Sequence, residues 1–427
     1  MGLEITIRAS YMGSAEECRE KLNAFLEKEP SVVPGKSVSV ATFGETVRAS
    51  FFFAEEDVYF TFKDGNGLTV SAKTNGAGPG YHAYLTGLFE RLRESCGLSW
   101  GDDAVEDDTG YWHSRDFEEL RESMASWLTS LADALVENHM AGTVSGLAIC
   151  MGTEHVPESD EHYAAHLLGW RERDFFRAIP QRGATEEDCE AFFIWWDEQT
   201  TPSFFLKCAL CMMWCDCNWL SPVTDREKSL YTATFLCLES AWDDDPSLPF
   251  PVREWKEMAA LSDSREIMEE LERRFPGETA PGEKIGYLRG MVRINLGSGW
   301  RVTMPGAMHE ELDGDDDTVQ VFWDAIHTVR VSRFTVTGDG ISAASLLDTV
   351  TEDVAEATEF FLENQEGVLA RVAHEPQRDD GGTEYFGSFF FAAVDAGRIL
   401  YISVFYDDEK DRPWAEAIFA SCSWQNE

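Results

Sequence analysis

Alternating apolar and polar residues mark most of the first hundred positions as strands. Leu3–Ser10 has the two-residue period of a strand, and Ser14 with Glu17 forms the capping-box pattern that opens a helix. A turn at Asp64–Gly67 joins two of the later strands, and a glycine-rich loop precedes a second helix at Tyr81–Ser95. The other strand-like runs are Ser37–Phe43, Thr46–Ala54, Val58–Lys63 and Leu68–Ala72. The pattern predicts a small α+β domain over residues 1–100.

The period of the apolar residues becomes helical after an acidic segment, Gly101–Gly110, which is predicted as a linker. Asp116 caps a helix whose apolar residues form one stripe from Phe117 to Leu135. Helical periodicity continues to about Phe275 and predicts a mostly helical domain over 111–275. The proline, glycine and charge of Arg273–Lys284 are typical of a second linker.

Strand alternation returns in the last third of the chain. The order is strands, then a helix with its apolar face running from Leu346 to Phe361, then a hairpin, then a closing helix at Trp414–Ala420. The predicted strands are Met291–Met304, Val319–Phe322, Thr328–Thr337, Glu384–Val394 and Arg398–Tyr406. We expect an α/β sandwich with an antiparallel sheet over 282–427. The fold class is therefore predicted as a multidomain α+β protein.

This last third resembles the α/β/α sandwich of PsbP-like and DcrB-like domains. The resemblance rests on the strands–helix–strands–helix order and on the segment Gly297–Met308, which has the glycine, tryptophan, strand and proline phrase of that group. It implies a non-catalytic domain that binds other proteins, in some members as a chaperone for secreted effectors. Members are often exported or tethered to a membrane, and the acidic start of this chain lacks the pattern of a signal peptide.

The formal charge of −43, from 78 Asp and Glu against 35 Lys and Arg, limits the possible partners. Such a surface repels nucleic acids and anionic lipids, so neither a nucleic acid nor a membrane is predicted as a partner. Hydrophobic residues make up 44% of the chain and aromatics 12%, which indicates packed cores rather than disorder. Without a signal peptide or an apolar run of about 20 residues, the chain is predicted to be cytoplasmic.

The acidic loops are the predicted binding residues for a basic or effector-type protein partner. We expect a non-enzymatic interaction protein, of the immunity or inhibitor type, whose complementary charge accelerates association. The alternatives are a chaperone or adaptor for a secreted effector, and acidity that serves solubility alone. The predicted binding residues are Asp102, Asp103, Asp107, Asp108, Asp243, Asp244, Asp245, Asp313, Asp315, Asp316 and Asp317.

A histidine pair gives the enzymatic alternative. His162 and His166 are four residues apart, so on a helix they would face one metal ion, as in a metal-dependent hydrolase. The residue after His162 is Tyr163 rather than the glutamate that a zinc protease uses as its base. A helix face that binds no metal is the alternative interpretation.

Two other motifs are better explained by structure than by chemistry. Cys208, Cys211, Cys215 and Cys217 lie in an apolar segment that is predicted to be a buried helix, where Cys215 would stand about 10 Å along the axis from Cys208. One zinc ion cannot reach ligands so far apart, and the ten cysteines are expected to be thiols. The Asn75–Gly80 loop lacks the lysine of a phosphate-binding loop and is predicted to be a turn. No cofactor is predicted.

Overall fold

The chain forms two compact units in a computed structural model. The structure describes residues 2–137, 147–152, 154–277, 282–313, 319–338, 341–354, 356–363, 365–378 and 381–426. The first unit comprises Met1–Met151, Ser159–Cys217 and Asp225–Gly286, and the second comprises Gly152–Glu158, Asn218–Thr224 and Tyr287–Glu427. Helices and antiparallel sheets are both present, which confirms the predicted multidomain α+β class. The first unit contains 1–100 and most of 111–275, and the division into three domains stays a prediction.

An antiparallel sheet and two helices form the beginning of the first unit. The strands pair in the order β2-β3-β4-β5-β1-β6, with Ile7 opposite Val70 in the register of β1 and β5. Ile5 and Ile7 are buried because they alternate onto one face. The bounds are β1 Glu4–Tyr11, α1 Ala15–Leu26, β2 Ser39–Phe43, β3 Thr46–Ser50, β4 Val58–Lys63, β5 Gly67–Lys73, α2 Pro79–Cys96 and β6 Leu98–Ser99. Both halves of the capping box predicted at Ser14 and Glu17 are present.

The predicted linker Gly101–Gly110 is instead part of this sheet. Within it, β7 (Val105–Asp107) pairs antiparallel with Ile5–Ile7 of β1. Buried Val105 fixes the strand against the core, although acidic residues surround it in the sequence. The acidic run that reads as a solvated connection is therefore held in place by one apolar residue and by strand pairing.

Helices dominate the rest of the first unit. Their shared core includes Leu120, Met124 and Leu128 of α4, as the predicted apolar stripe requires, together with Phe176 and Phe192. The bounds are α3 Tyr111–Ser114, α4 Phe117–Glu137, β8 Ala148–Ile149, β9 His155–Pro157, β10 Ala164–His166, β11 Gly169–Arg171, α5 Arg173–Arg182, α6 Glu186–Phe192, α7 Pro202–Cys215, α8 Asp225–Asp244, α9 Val252–Leu261 and α10 Arg265–Arg274. Of these, β9 belongs to the second unit.

The second unit is a layered sandwich around a large antiparallel sheet. That sheet has the order β14-β15-β16-β20-β19-β18-β17, and a smaller one has the order β21-β13-β12-β9. The bounds are β12 Met291–Gly297, β13 Trp300–Pro305, β14 His309–Asp313, β15 Val319–Trp323, β16 His327–Thr335, α11 Ala343–Val350, β17 Thr358–Phe360, β18 Val368–Arg378, β19 Glu384–Val394, β20 Arg398–Tyr406, α12 Arg412–Ala420 and β21 Ser423–Trp424.

Both faces of the large sheet are buried in its middle. Phe390 and Ala392 of β19 pack with the small sheet and α12, whereas Phe391 and Ala393 pack with α11. Burial on both faces explains why the β19 sequence is a continuous apolar run rather than an alternating one. Gly397, with φ 73°, closes the β19–β20 hairpin, as predicted.

The helix predicted from Leu346 to Phe361 is much shorter in the structure. It ends at Val350, where β-branched Thr349, Val350 and Thr351 follow one another and the Thr351 hydroxyl donates to the Leu347 carbonyl. Beyond that point the described residues form turns, irregular segments and the short strand β17. No helix in the described part of the chain is both long enough and apolar enough to cross a membrane.

Candidate functional site

A stretch of the second unit that includes the edge strand β17 is rich in exposed carboxylates. Between Arg333 and Arg371 the sequence contains no lysine or arginine. The described carboxylates of this stretch are all exposed, and we call them the acidic edge. They are Asp348, Glu352, Asp353, Glu356, Glu359, Glu363 and Glu366. Of these, Asp348 accepts a 2.6 Å ion pair from Arg371, and no other ion pair to the acidic edge occurs among the described residues.

An edge strand and an exposed aromatic ring lie within the acidic edge. Strand β17 ends the large sheet and pairs on one side with β18. The next residue, Phe361, has 85% of its surface exposed. An exposed aromatic ring offers an apolar contact to a partner, and an edge strand has backbone groups that a second chain can pair with. Charge, an apolar anchor and an open strand therefore coincide here.

The positive charges of the protein do little to neutralise this surface. Most lysine and arginine side chains lie within 4.0 Å of a carboxylate of their own unit, as in Arg48–Asp57 and Arg330–Asp313. Each such pair matches one positive with one negative charge, so the unpaired charges are mostly negative. Exposed pairs of this kind contribute little to stability. Their main consequence is a surface with few cations left to attract an acidic partner.

The predicted binding residues are divided among several elements. Asp102, Asp103, Asp108, Asp243 and Asp244 are exposed, which is compatible with the prediction. Asp245 accepts hydrogen bonds from Ser247, which lower its pKa, and Asp313 pairs with Arg330. Asp315, Asp316 and Asp317 lie outside the described residues.

Asp107 differs from the prediction because its carboxyl is inside the protein. Only 1% of the side chain is exposed, and it accepts hydrogen bonds from Trp112 N at 2.7 Å and from Thr109 N at 2.8 Å. His82, itself fully buried, places Nε2 at 3.3 Å from the carboxyl and Nδ1 at 2.9 Å from Thr74 Oγ1. Burial alone would raise the pKa of Asp107, but the hydrogen bonds and charge of His82 and the two amides lower it. Asp107 therefore joins β7, α2 and α3 rather than contacting a partner.

The histidine pair does not lie on a helix. His166 ends strand β10, which turns sharply at Gly169 (φ 105°) into β11. Burial lowers the pKa of His166, and its Nδ1 accepts from Leu168 N at 3.3 Å. The His162 ring stacks on Trp170 at 4.7 Å between centroids. The metal prediction thus loses the helix on which it depended, and the described residues contain no group of three His, Cys, Asp or Glu side chains arranged to hold a metal.

The cysteine-rich segment is a buried helix, as predicted. Cys208 and Cys211 of α7 are fully buried, and burial raises the pKa of both thiols. Cys215 is half-buried and its Sγ lies 3.7 Å from the Leu167 carbonyl oxygen. No disulfide joins any of the ten cysteines. The cluster therefore acts as small apolar packing.

We expect native protein to react slowly with a thiol reagent such as Ellman's reagent. Cys150 and Cys215 are the two thiols that are not fully buried, and burial still raises the pKa of Cys150. About one thiol, that of Cys215, should therefore react within minutes, because the thiolate is the reactive form. All ten should react in guanidinium chloride. Absorbance at the released thiol's wavelength measures both. A Cys215→Ser variant should lose the early reaction, and rapid reaction of several native thiols would contradict a buried α7.

The glycine-rich loop binds a carboxylate of the protein itself. Gly76 N and Ala77 N donate to Glu55 Oε2 at 2.7 and 2.9 Å. Glu55 lies in the segment that connects β3 to β4. Burial raises the pKa of Glu55, and the two amides oppose that rise. The loop therefore has the geometry of an anion-binding site, and the Glu55 carboxylate already occupies that site.

His374 lies between a serine and a glutamate in the second unit. Its Nδ1 lies 2.7 Å from Ser388 Oγ, and its Nε2 lies 3.3 Å from Oε1 of Glu416, whose side chain is 40% exposed. A catalytic triad has the opposite arrangement, with the serine at Nε2 and the carboxylate at Nδ1. Ser388 is also fully buried and bonds Tyr406 at 2.8 Å, so no substrate carbonyl can reach it. These contacts join cross-strand partners of β18 and β19 to α12.

Sequence reasoning missed the acidic edge, although its signal is readable. The absence of lysine and arginine between Arg333 and Arg371 is a property of the sequence alone. The apolar residues at helical spacing in the same stretch predict a buried helix face instead. Short runs of consecutive aspartates were preferred instead, and one of their members, Asp107, is buried.

Comparisons with known proteins leave the chain without an assigned family. No family model and no curated protein matches it. Among solved structures, one match is a crystal structure from Bacteroides thetaiotaomicron, with 15% sequence identity, a TM-score of 0.28, and coverage of 33% of this chain. The matched part spans half of that protein's length.

Proposed function

We propose that this chain is a non-enzymatic, acidic interaction protein that binds a basic protein partner, in the manner of an immunity or inhibitor protein. The acidic edge carries the proposal, because it joins exposed carboxylates, an exposed Phe361 and the end of a sheet in one place. A basic partner would meet a surface without competing cations. The proposed setting is the cytoplasm, and neither nucleic acid nor membrane is proposed as a partner.

Complementary charge predicts a particular kinetic behaviour. Carboxylates spread over one surface attract a basic protein before contact, which raises the association rate by one to three orders of magnitude at low salt. At physiological ionic strength the Debye length is about 8 Å, so this attraction weakens as salt is added. Phe361 would supply a contact that salt does not weaken. The affinity should therefore fall with salt without vanishing.

The chaperone or adaptor function stays the second proposal, and exposed Phe361 supports it. A chaperone surface binds apolar segments of its client, so salt should leave its affinity unchanged or strengthen it. The resemblance of the last third to PsbP-like and DcrB-like domains also stays a proposal. The two functions differ in the sign of the salt dependence.

Neutralising four carboxylates of the acidic edge should weaken binding at least about tenfold at low salt, because steering depends on their charge. The variant combines Glu352→Gln, Asp353→Asn, Glu359→Gln and Glu363→Gln, whose side chains are exposed. The partner is captured from host extract, identified and purified, and its association and dissociation rates are then measured by surface plasmon resonance from 50 to 500 mM NaCl.

A matched control removes the same charge from the first unit. It combines Glu20→Gln, Glu27→Gln, Glu94→Gln and Glu122→Gln, all exposed. We expect the control to bind as the wild type does. Equal weakening in both variants would show that total charge matters rather than the acidic edge. Affinity that is unchanged or rises from 50 to 500 mM NaCl and is lost in Phe361→Ser would support the chaperone instead.

A further inference from the structure

A cleft of about 360 Å³ opens in the first unit beside helix α2. Tyr84, Tyr111 and Trp195 are three of its ten lining residues, and Tyr84 is the most exposed of the three. The ring centroids of Tyr84 and Trp195 are 5.8 Å apart. The exposed residues 198–200 form the opposite, polar part of the lining. A volume of this size matches sites that hold a small molecule or a single side chain.

A glycine in the middle of α2 leaves room for the cleft. Gly87 lines the cleft, and a glycine inside a helix costs about 1 kcal/mol relative to alanine. Close packing often explains such a glycine, but a Cβ at Gly87 would have one neighbour within 4 Å, Arg91 Nη1 at 3.8 Å. Packing of the protein therefore does not require glycine here. The space that a side chain would fill is the floor of the cleft.

The uncompensated charge at the cleft is negative. Arg91 lines it, but its guanidinium forms an ion pair with the largely buried carboxyl of Glu29, to which Tyr84 also donates at 3.4 Å. Glu198 is exposed and makes no ion pair or hydrogen bond within the described residues. It lies close enough to Tyr111 to raise the pKa of that phenol, after the larger effect of burial.

We infer that this cleft binds the lysine or arginine side chain of a basic protein partner. Aromatic faces attract an ammonium or guanidinium group, and Glu198 at the rim supplies a carboxylate to pair with it. Arg91, already paired with Glu29, adds no net positive charge. The inference rests on the proposed function for the source of the side chain, and it names a second contact, separate from the acidic edge.

Capped amino acids test the cleft directly. Nα-acetyl-arginine amide and Nα-acetyl-lysine amide are titrated against full-length protein by ligand-observed NMR, with uncharged Nα-acetyl-citrulline amide as the isosteric control. We expect Kd values of about 1 mM for the cations and at least about tenfold weaker binding of citrulline. Glu198→Gln should weaken the cations at least about fivefold, whereas Glu20→Gln on α1 should leave them unchanged.

Two substitutions at one position separate the cleft from the rest of the surface. Gly87→Leu fills the cleft and should abolish binding, while Gly87→Ala adds a single methyl group and should weaken binding less. Circular dichroism verifies that both variants fold, as their helix propensity favours. Equal binding of citrulline and arginine, or unchanged binding in Gly87→Leu, would overturn the inference.

The outcomes also separate this inference from the proposed function. The variant neutralised at the acidic edge should bind the capped amino acids as the wild type does. If no capped amino acid binds while the partner's affinity still falls with salt, the inference about the cleft is overturned and the proposed function stands. If the partner's affinity is independent of salt, the proposed function fails. The basic partner's side chain is then also ruled out as the ligand of the cleft, even if the capped amino acids bind.

Discussion

Gly80→Ala should destabilise the protein by about 3 kcal/mol or more, although alanine is the better helix former. Gly80 lies in the first turn of α2, and a Cβ at this position would overlap the indole ring of Trp195 and the carbonyl oxygen of Asp197. Its own amide donates to the Trp195 carbonyl at 3.1 Å, so the backbone cannot move away without losing that bond. The overlapping atoms belong to a buried ring and to a backbone, neither of which can shift easily.

Gly87→Ala, in the same helix, provides the matched control with the opposite sign. It should stabilise the protein by about 0.5–1 kcal/mol, since the added methyl group has open space and the unfolded chain loses freedom. Urea unfolding followed by tryptophan fluorescence measures both variants. Equal stability of the two would show that Trp195 does not pack against Gly80 as described.

Asp107→Asn should cost about 3 kcal/mol at neutral pH. The substitution keeps the shape of the side chain but removes the charge, and its amide group would meet the donors that now bond to the carboxylate. Breaking one partner of a buried charged network has effects of this size because the other groups remain buried and unsatisfied. Asp102→Asn, at an exposed position in the same segment, should change stability by less than about 0.5 kcal/mol.

The effect of Asp107 should also depend on pH, with a definite sign. The pKa of this carboxyl is lowered in the folded protein, so its charged form stabilises folding above the ordinary value of 3.8. That contribution falls as the pH drops below 3.8 towards the folded pKa. The difference in unfolding free energy between wild type and Asp107→Asn should therefore shrink as the pH falls below 4. A difference that grows on acidification would contradict the assignment.

Local chemistry determines which parts of the fold the sequence predicts. The start of α1 was predictable because Ser14 and Glu17 satisfy each other's backbone amides within four residues. The end of α11 was not, because Val354 keeps the helical spacing although the helix ends at Val350. Apolar spacing reports which side chains are buried and does not by itself determine where a helix ends.

The candidate sites depend on contacts between distant residues, which the sequence does not reveal. Glu55 reaches Gly76 across two strands, so the loop with the best anion-binding geometry is already filled. Asp107 meets His82 because β7 pairs with β1, a pairing that an acidic segment does not suggest. Charge, by contrast, can be counted along the chain, so the interval without lysine or arginine can be identified from the sequence alone.

The edge position of β17 has a consequence for copies of the same chain. Open strand edges tend to pair with one another, which is a common route to aggregation. If two copies paired through β17, Glu359 and the neighbouring carboxylates of one copy would face the same carboxylates of the other. Like-charge repulsion therefore opposes the pairing. The carboxylates that would draw in a basic protein thus also keep this protein from polymerising, and acidification would remove both effects together.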